Sequence, residues 1–415
     1  MTLRVLRFLR LPYDLPVKLV LIATGAAVAV VVAHAQFSDS FVASRDVPAI
    51  AYSTAPVTDR VSALNDRLRD GKASLNFNDG NGYLSGVLDA LNVPVESQVT
   101  PFAKNSFQAE LIDLKNPRAL FFADDVAVGW VRGADLLEVA AHDPRQGAIF
   151  YTIEQKKSAS PQFTRNDNCL ACHLSWDTLG VPGFFLMSTL TVPDDPHAYA
   201  TGFKSDQRRN FDERWGGWYV TGNIGSLIHM GNVPVSNTVK PARAEARTLK
   251  SLDERIDPKG YPSRTSDVVA LMVLEHQAHM MNLITRTGWE ARLAAASDDP
   301  KQIAKVEEAA ADLVDYMLFV YEAPLTSPVR GTSGFAEKFT ALGPFDDKGR
   351  SLRQLDLNTR LLKYPCSYMI YSAAFDALPA RAKSAVYRRL LRELPKRENG
   401  QAALEILRAT KRDLP

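Results

Sequence analysis

The chain has 415 residues, with 49 Lys and Arg against 47 Asp and Glu, a formal net charge of +2 and 46% hydrophobic residues. That balance is ordinary for a globular protein, and without a basic stripe interleaved with aromatics it excludes a nucleic-acid partner. Three cysteines are too few for a disulfide framework.

At the amino terminus Arg4, Arg7, Arg10 and Lys18 precede an uninterrupted small and apolar run from Leu19 to Ala33, followed by Ala33-His34-Ala35. This is the three-part layout of a secretory signal peptide. The run, about 15 residues, falls short of the roughly 20 that a membrane-spanning helix needs. Cleavage after Ala35 is therefore expected, giving a soluble, periplasmic mature chain; a retained segment would instead tether the protein to the membrane. Cleavage removes four basic residues and Asp14, leaving 45 basic against 46 acidic side chains. The slight positive surplus thus belongs to the export segment.

From Asp59 to Asp70 a helix is predicted, with Val61, Leu64 and Leu68 inward, Thr58 as its cap and Gly71 as its stop. Gly82 to Leu91 reads similarly. Ala119 to Glu154 breaks into short β-rich runs separated by Asp, Gly and Pro-Arg-Gln-Gly, which predicts an antiparallel meander of three or four strands. Strand-like pieces follow at Phe184–Val192 and Trp218–Thr221, around polar loops at Pro193–Pro196 and Gln207–Arg214. Beyond these, a long helix is predicted from Thr265 or Ser266 to Arg286 or further. A second runs from Pro300 to Tyr321 on the spacing of Ile303, Val306, Leu313 and Met317. Gly331–Gly343 reads as loop with a short helix. Two basic amphipathic helices flank Asn399-Gly400, with ten Lys or Arg against four acids from Arg381 onward; that surplus is either a solvated face or a docking patch for an acidic redox partner. The fold class is α+β: a mixed front half with a short meander, and a helical C-terminal half.

The chemistry sits in Asn168-Cys169-Leu170-Ala171-Cys172-His173. Cys-x-x-Cys-His is the spacing of c-type haem attachment. Thiols three residues apart share one side of a helical turn and can add to the two vinyl groups of a haem edge, while the next imidazole reaches the iron. The competing readings are a thioredoxin-like dithiol, which wants a βαβ context and a lowered thiol pKa, and a zinc site, which needs further ligands. Cys366, among aromatic and apolar neighbours, reads as a buried, inert thiol.

The motif resembles the attachment site of the cytochrome c superfamily. More widely, "NCLACH", "LGVPG", "RWGGWYVTG", "HMGN" and "KYPCSYMIYS" are similar to a group of large single-haem exported bacterial proteins of uncharacterised function. The resemblance implies one covalent haem c, with its iron on His173, and export; it names no substrate. On this reading residues 1–35 are signal peptide, 36–250 a mixed haem-attachment region and 251–415 a helical region packing on it.

The other axial position decides between electron carriage and reaction at the iron. Met230, 57 residues after His173, is the first candidate. His276 is the alternative, because at 100° per residue it falls within the stripe of Val269, Met272, Val273, Met280 and Leu283. His229, Met187 and Met280 are further candidates, as is a site with no protein ligand. Arg208, Arg209 and Arg214, followed by Trp215-Gly216-Gly217-Trp218-Tyr219, suit either haem propionates and a close-packed planar ring or a structural turn with core tryptophans. His142 and His197 read as turn and loop residues. Asp124-Asp125 reads as a turn, with a carboxylate dyad or calcium site as its alternative. The expected function is an exported electron-transfer cytochrome with an unidentified redox partner protein. The alternatives are a peroxidase-like haem enzyme using His276, Glu275 or an arginine, and a haem-based sensor or binding subunit.

Overall fold

Asp59, rather than Thr58, starts the first helix. In the computed structural model, which describes residues 44–189, 202–233, 248–297 and 299–415, its carboxylate accepts the N–H groups of Val61 (2.8 Å) and Ser62 (3.0 Å). The signal-peptide expectation over 1–35, His197 and the loop at 193–196 lie outside the described residues. Helix α1 (Arg60–Arg69) buries Val61 and Leu64, and α2 (Leu84–Ala90) buries Leu84, Val87 and Leu88. Strand β1 (Thr100–Pro101) follows.

The meander is a five-stranded antiparallel sheet in chain order: β2 (Ala119–Phe122), β3 (Val126–Trp130), β4 (Leu136–Asp143), β5 (Gly147–Glu154) and β6 (Thr164–Arg165). Its turns use the acids the sequence offers. Asp143 accepts from Arg145 N (2.8 Å) and Gln146 N (2.9 Å). Asp124 and Asp125 sit between β2 and β3 and pair separately, with Arg353 and Arg60, as a turn and not as a dyad. One sheet face, including Phe121, Val128, Val139, Tyr151 and Ile153, is mostly apolar and buried with α1 and α2, its Tyr151 hydroxyl donating to Asp59. The opposite face carries Ala127, Gly129, Glu138, Ala140, Phe150 and Thr152. His142 is not in the turn. It lies within β4, buried, with Nε2 at 2.8 Å from Thr285 Oγ1, because the strand runs on to Asp143 before the chain reverses.

After β6 come α3 (Leu170–His173), the hairpin β7 (Leu186–Thr189) with β8 (Gly202–Ser205), and β9 (Trp218–Tyr219) paired to β1. The helical half is α4 (Val268–Ala295), α5 (Pro300–Met317), α6 (Phe335–Ala341), α7 (Ala373–Asp376), α8 (Ala380–Glu393) and α9 (Gly400–Thr410). The chain is therefore α+β, strand-rich in front and helical behind. Helix α4 begins at Asp267, whose carboxylate accepts from Val269 N and Ala270 N and, from the far side, Thr332 N (2.7 Å) and Ser333 N (2.9 Å). Of its 28 residues 21 are buried, so it runs through the interior instead of presenting one apolar stripe. No described helix is long and apolar enough to cross a membrane.

Two apolar cores result. One joins the sheet to α1 and α2; the other gathers the helices around α4 and also takes Phe211, Trp215, Trp218 and Leu227 from the front half. The cores thus cut across residue 250, and Phe184 packs against both.

Candidate functional site

The Cys-x-x-Cys-His segment is placed by the edge of the sheet. Asn166, the first residue after β6, donates its N–H to Phe150 O (2.8 Å), and its side chain accepts from Asn168 N (3.2 Å). A 3₁₀ turn over Asp167–Cys169 leads straight into α3. Cys169 is half-buried and Cys172 exposed, three residues apart along one continuous turn, which sets both thiols on the same side.

His173 follows on that turn. Its ring lies 4.7 Å from Phe150 and 5.2 Å from Phe185. Nδ1 is 2.9 Å from the carbonyl oxygen of Gly183. A carbonyl only accepts, so Nδ1 carries the proton and the Nε2 lone pair is left to act as a ligand. Burial pushes the ring down to about 4, with the Gly183 hydrogen bond opposing, so the imidazole is neutral. The accepting loop is itself fixed: Gly183 N donates back to His173 O (2.9 Å), and Pro182 O accepts from Ala148 N of β5 (2.9 Å).

The electrostatic neighbours of the motif are Arg118 and Glu138, an ion pair on the open sheet face whose charges act on both Cys169 and His173. Burial first, and then Glu138, push the Cys169 thiol up to about 12. A thiol held there is a poor nucleophile, which removes the lowered pKa that a thioredoxin-like dithiol relies on. Cys366, fully buried, is likewise pushed up to about 12. Around the motif the surface is unusually apolar. Trp176 is 69% exposed, and Phe184 and Phe185 are half-exposed. Phe107, 60% exposed, adjoins Ser106, which donates to Glu138 (2.9 Å).

The candidate axial groups fall elsewhere. Met230 is buried, its sulfur 3.8 Å from Ser188 Oγ. Ser188 follows Met187 on β7, so the two side chains leave the strand on opposite sides. His276 has both nitrogens engaged: Nδ1 with Gln207 Oε1 and Nε2 with Ser367 Oγ (2.7 Å), the ring stacked between Tyr316 and Phe319. It is a hydrogen-bonded core residue with no lone pair to spare. His229 accepts Gly231 N–H at Nδ1 (2.9 Å), which leaves its Nε2 as a donor and not a ligand. Met280 is fully buried in the helical core. Met187 is half-buried on β7, two residues beyond Phe185 in the chain.

The three arginines are also used internally. Arg214 is buried and pairs with Glu275 (3.2 Å), Arg208 lies over Tyr316 and Arg209 over Phe203. Trp215 and Trp218 are core residues. What the sequence did not announce is Gly183, Arg118 and Glu138; the Pro-Gly-Phe-Phe run after the motif was the one available signal, since it marks a tight turn leading to apolar rings.

No family model matches the chain, and no curated protein or solved structure matches it.

Proposed function

We propose that this protein carries one covalent haem c, thioether-bonded through Cys169 and Cys172 with His173 Nε2 on the iron, and acts as an exported, periplasmic electron-transfer cytochrome. The observation that carries the proposal is the Nδ1–Gly183 hydrogen bond (2.9 Å). It selects the tautomer with a free Nε2 lone pair, and a carbonyl partner is what raises the basicity of a metal-bound imidazole. The residues present fit the group in two further ways. The thiols share one helical turn, and the exposed apolar surface of Trp176 with Phe184 and Phe185 is of the kind a flat cofactor covers. Bound haem would supply a one-electron iron couple. The chain's own part is to fix the ligand's proton on Nδ1, hold the ring against Phe150 and Phe185, and offer Arg118 as a cation beside the site.

A second reading, a haem enzyme or sensor with an open iron face, is favoured by one observation: Met230, His229 and His276 are each committed to partners of their own. Met187 is the remaining candidate. One measurement tests both readings. Express the full precursor with the haem c maturation system, record the pyridine haemochrome, and add carbon monoxide to the ferrous protein. One haem c per chain without a carbon monoxide shift is the carrier; a ready shift is the enzyme or sensor; no covalent haem overturns the proposal.

A further inference from the structure

Helix α4 reaches the proposed haem site through Asn282. Asn282 is 1% exposed and grips the backbone of Phe184 with both ends of its carboxamide: Oδ1 accepts Phe184 N–H (2.8 Å) and Nδ2 donates to Phe184 O (2.6 Å). The grip is close enough that a Cβ on Gly183 would overlap Asn282 Oδ1, so the residue before the clamp has to be glycine. The carbonyl of that glycine is the acceptor for His173 Nδ1–H. The peptide that orients the imidazole is thus held between Pro182, bonded to β5, and Phe184, bonded to α4.

The structure assigns Asn282 as a positioning residue for the proximal ligand: through Phe184 and Gly183 it sets the strength of the His173 Nδ1–H hydrogen bond and hence the reduction potential of the iron. This rests on the haem reading above. The residue type is required by the chemistry. Only a side chain with an acceptor and a donor side by side satisfies a peptide N–H and C=O together. Leucine of similar size satisfies neither, and a carboxylate would set two acceptors against each other at Phe184 O. A hydrogen bond from Nδ1 to a fixed carbonyl lends imidazolate character to the ligand and favours the ferric state. Loosening Gly183 therefore raises the potential.

The test compares two carboxamides on the same helix. Gln277, 2% exposed, bridges Ala123 O (2.6 Å) and Tyr368 Oη (2.9 Å) and so also ties α4 to the sheet, without touching residues 182–184. Wild type, Asn282→Leu and Gln277→Leu are matured with haem as full chains. Each is assayed for covalent haem, thermal midpoint, reduction potential and the ferric low-spin electron paramagnetic resonance g values. The expected result is a comparable loss of thermal midpoint in both variants, with the potential raised in Asn282→Leu alone. The shift should be about tenfold in the one-electron equilibrium, equal to about 59 mV, with changed g values. Should Asn282→Leu fail to load haem, Asn282→Ser, neutral and too short to hold both Phe184 N–H and Phe184 O, replaces it, with a smaller shift of the same sign. Equal shifts in both variants, or none in either, overturn the assignment while leaving the haem reading intact. Wild-type protein without covalent haem overturns the haem reading itself and the assignment with it.

Discussion

Two histidines, half-buried His173 on α3 and fully buried His276 on α4, look alike one by one and differ in what surrounds them. Burial holds both neutral, at about 4 and about 3, and both rings are packed among aromatics. His173 spends one nitrogen on a backbone carbonyl and stands beside exposed Cys172 and Trp176. His276 spends both nitrogens on side chains and is sealed in the core. Position on an apolar stripe therefore does not by itself make a ligand; a ligand needs an uncommitted lone pair, and His276 has none.

The largest expected effect breaks the comparison at His173. Cys172→Ser and His173→Ala should each abolish or drastically reduce the haem c signal in the pyridine haemochrome, whereas His276→Gln should load haem at wild-type stoichiometry with an unchanged visible spectrum. Loss of the iron's native spectrum in His276→Gln at normal haem content would return that residue to the site.

Next in size is the buried ion pair beside His276. Arg214 and Glu275 are 3% and 0% exposed at their side chains, and Ser205 also donates to the carboxylate. Removing one partner leaves a buried uncompensated charge, so Arg214→Met should cost about 3–5 kcal/mol. Replacing both, in Arg214→Met with Glu275→Leu, should recover most of that. Burial already raises the Glu275 carboxyl, with Arg214 as the main opposing influence, and losing Arg214 raises it further. The folded-state value lies above the unfolded one in both proteins and higher in the variant, so the deficit is smallest below the wild-type folded value and grows as pH rises from there toward the variant's. Urea unfolding at pH 4 and pH 7.5 measures it; a deficit that does not depend on pH would mean that Glu275 titrates alike with and without Arg214.

Much of this molecule was readable from its residues. The meander follows from acids and glycines spaced between β-branched and aromatic runs, and the long helices follow from apolar spacing. Cys169, Cys172 and His173 were visible because their chemistry is local. What escaped depends on contacts far apart in the chain. Asp267 is the cap of α4 because residues 332 and 333 converge on it, and neither Thr265 nor Ser266 reveals that. His142 sits beside a true turn signal, yet its partner Thr285 is 143 positions away. An apolar stripe singles out an inward residue such as His276 only on a helix with a wet side, and α4 has almost none. The Gly183 carbonyl and its Asn282 clamp have no side-chain motif, because the acting atoms belong to the backbone.

A smaller change sharpens the axial-ligand question. Met187 and Ser188 leave β7 on opposite sides, and Met230 contacts Ser188. If a methionine closes the iron's sphere it is Met187. Met187→Leu is expected to remove any sulfur-to-iron charge-transfer band and admit carbon monoxide, and Met230→Leu to leave both unchanged. The reverse pattern would show that β7 presents its other side.

The smallest effect concerns His229, whose Nδ1 accepts from Gly231 and whose Nε2 has no hydrogen-bond partner among the described residues. Burial pushes it down to about 4. The unfolded chain takes up its proton below about pH 6.5 and the folded chain does not, so stability is lost as pH falls from there toward 4. Each such histidine contributes about 1.4 kcal/mol per pH unit within that window. His229→Phe relieves an orphaned donor but orphans Gly231 N–H, two opposing terms of about 1–3 kcal/mol each. The variant should therefore match wild type within about 1 kcal/mol at pH 7.5 and lose less stability on going to pH 5, where urea midpoints would show its advantage. Equal losses in His229→Phe and wild type between pH 7.5 and pH 5 would mean that His229 takes up a proton in the fold as it does in the unfolded chain, which the Gly231 N–H donated to Nδ1 forbids, and would overturn the assigned tautomer.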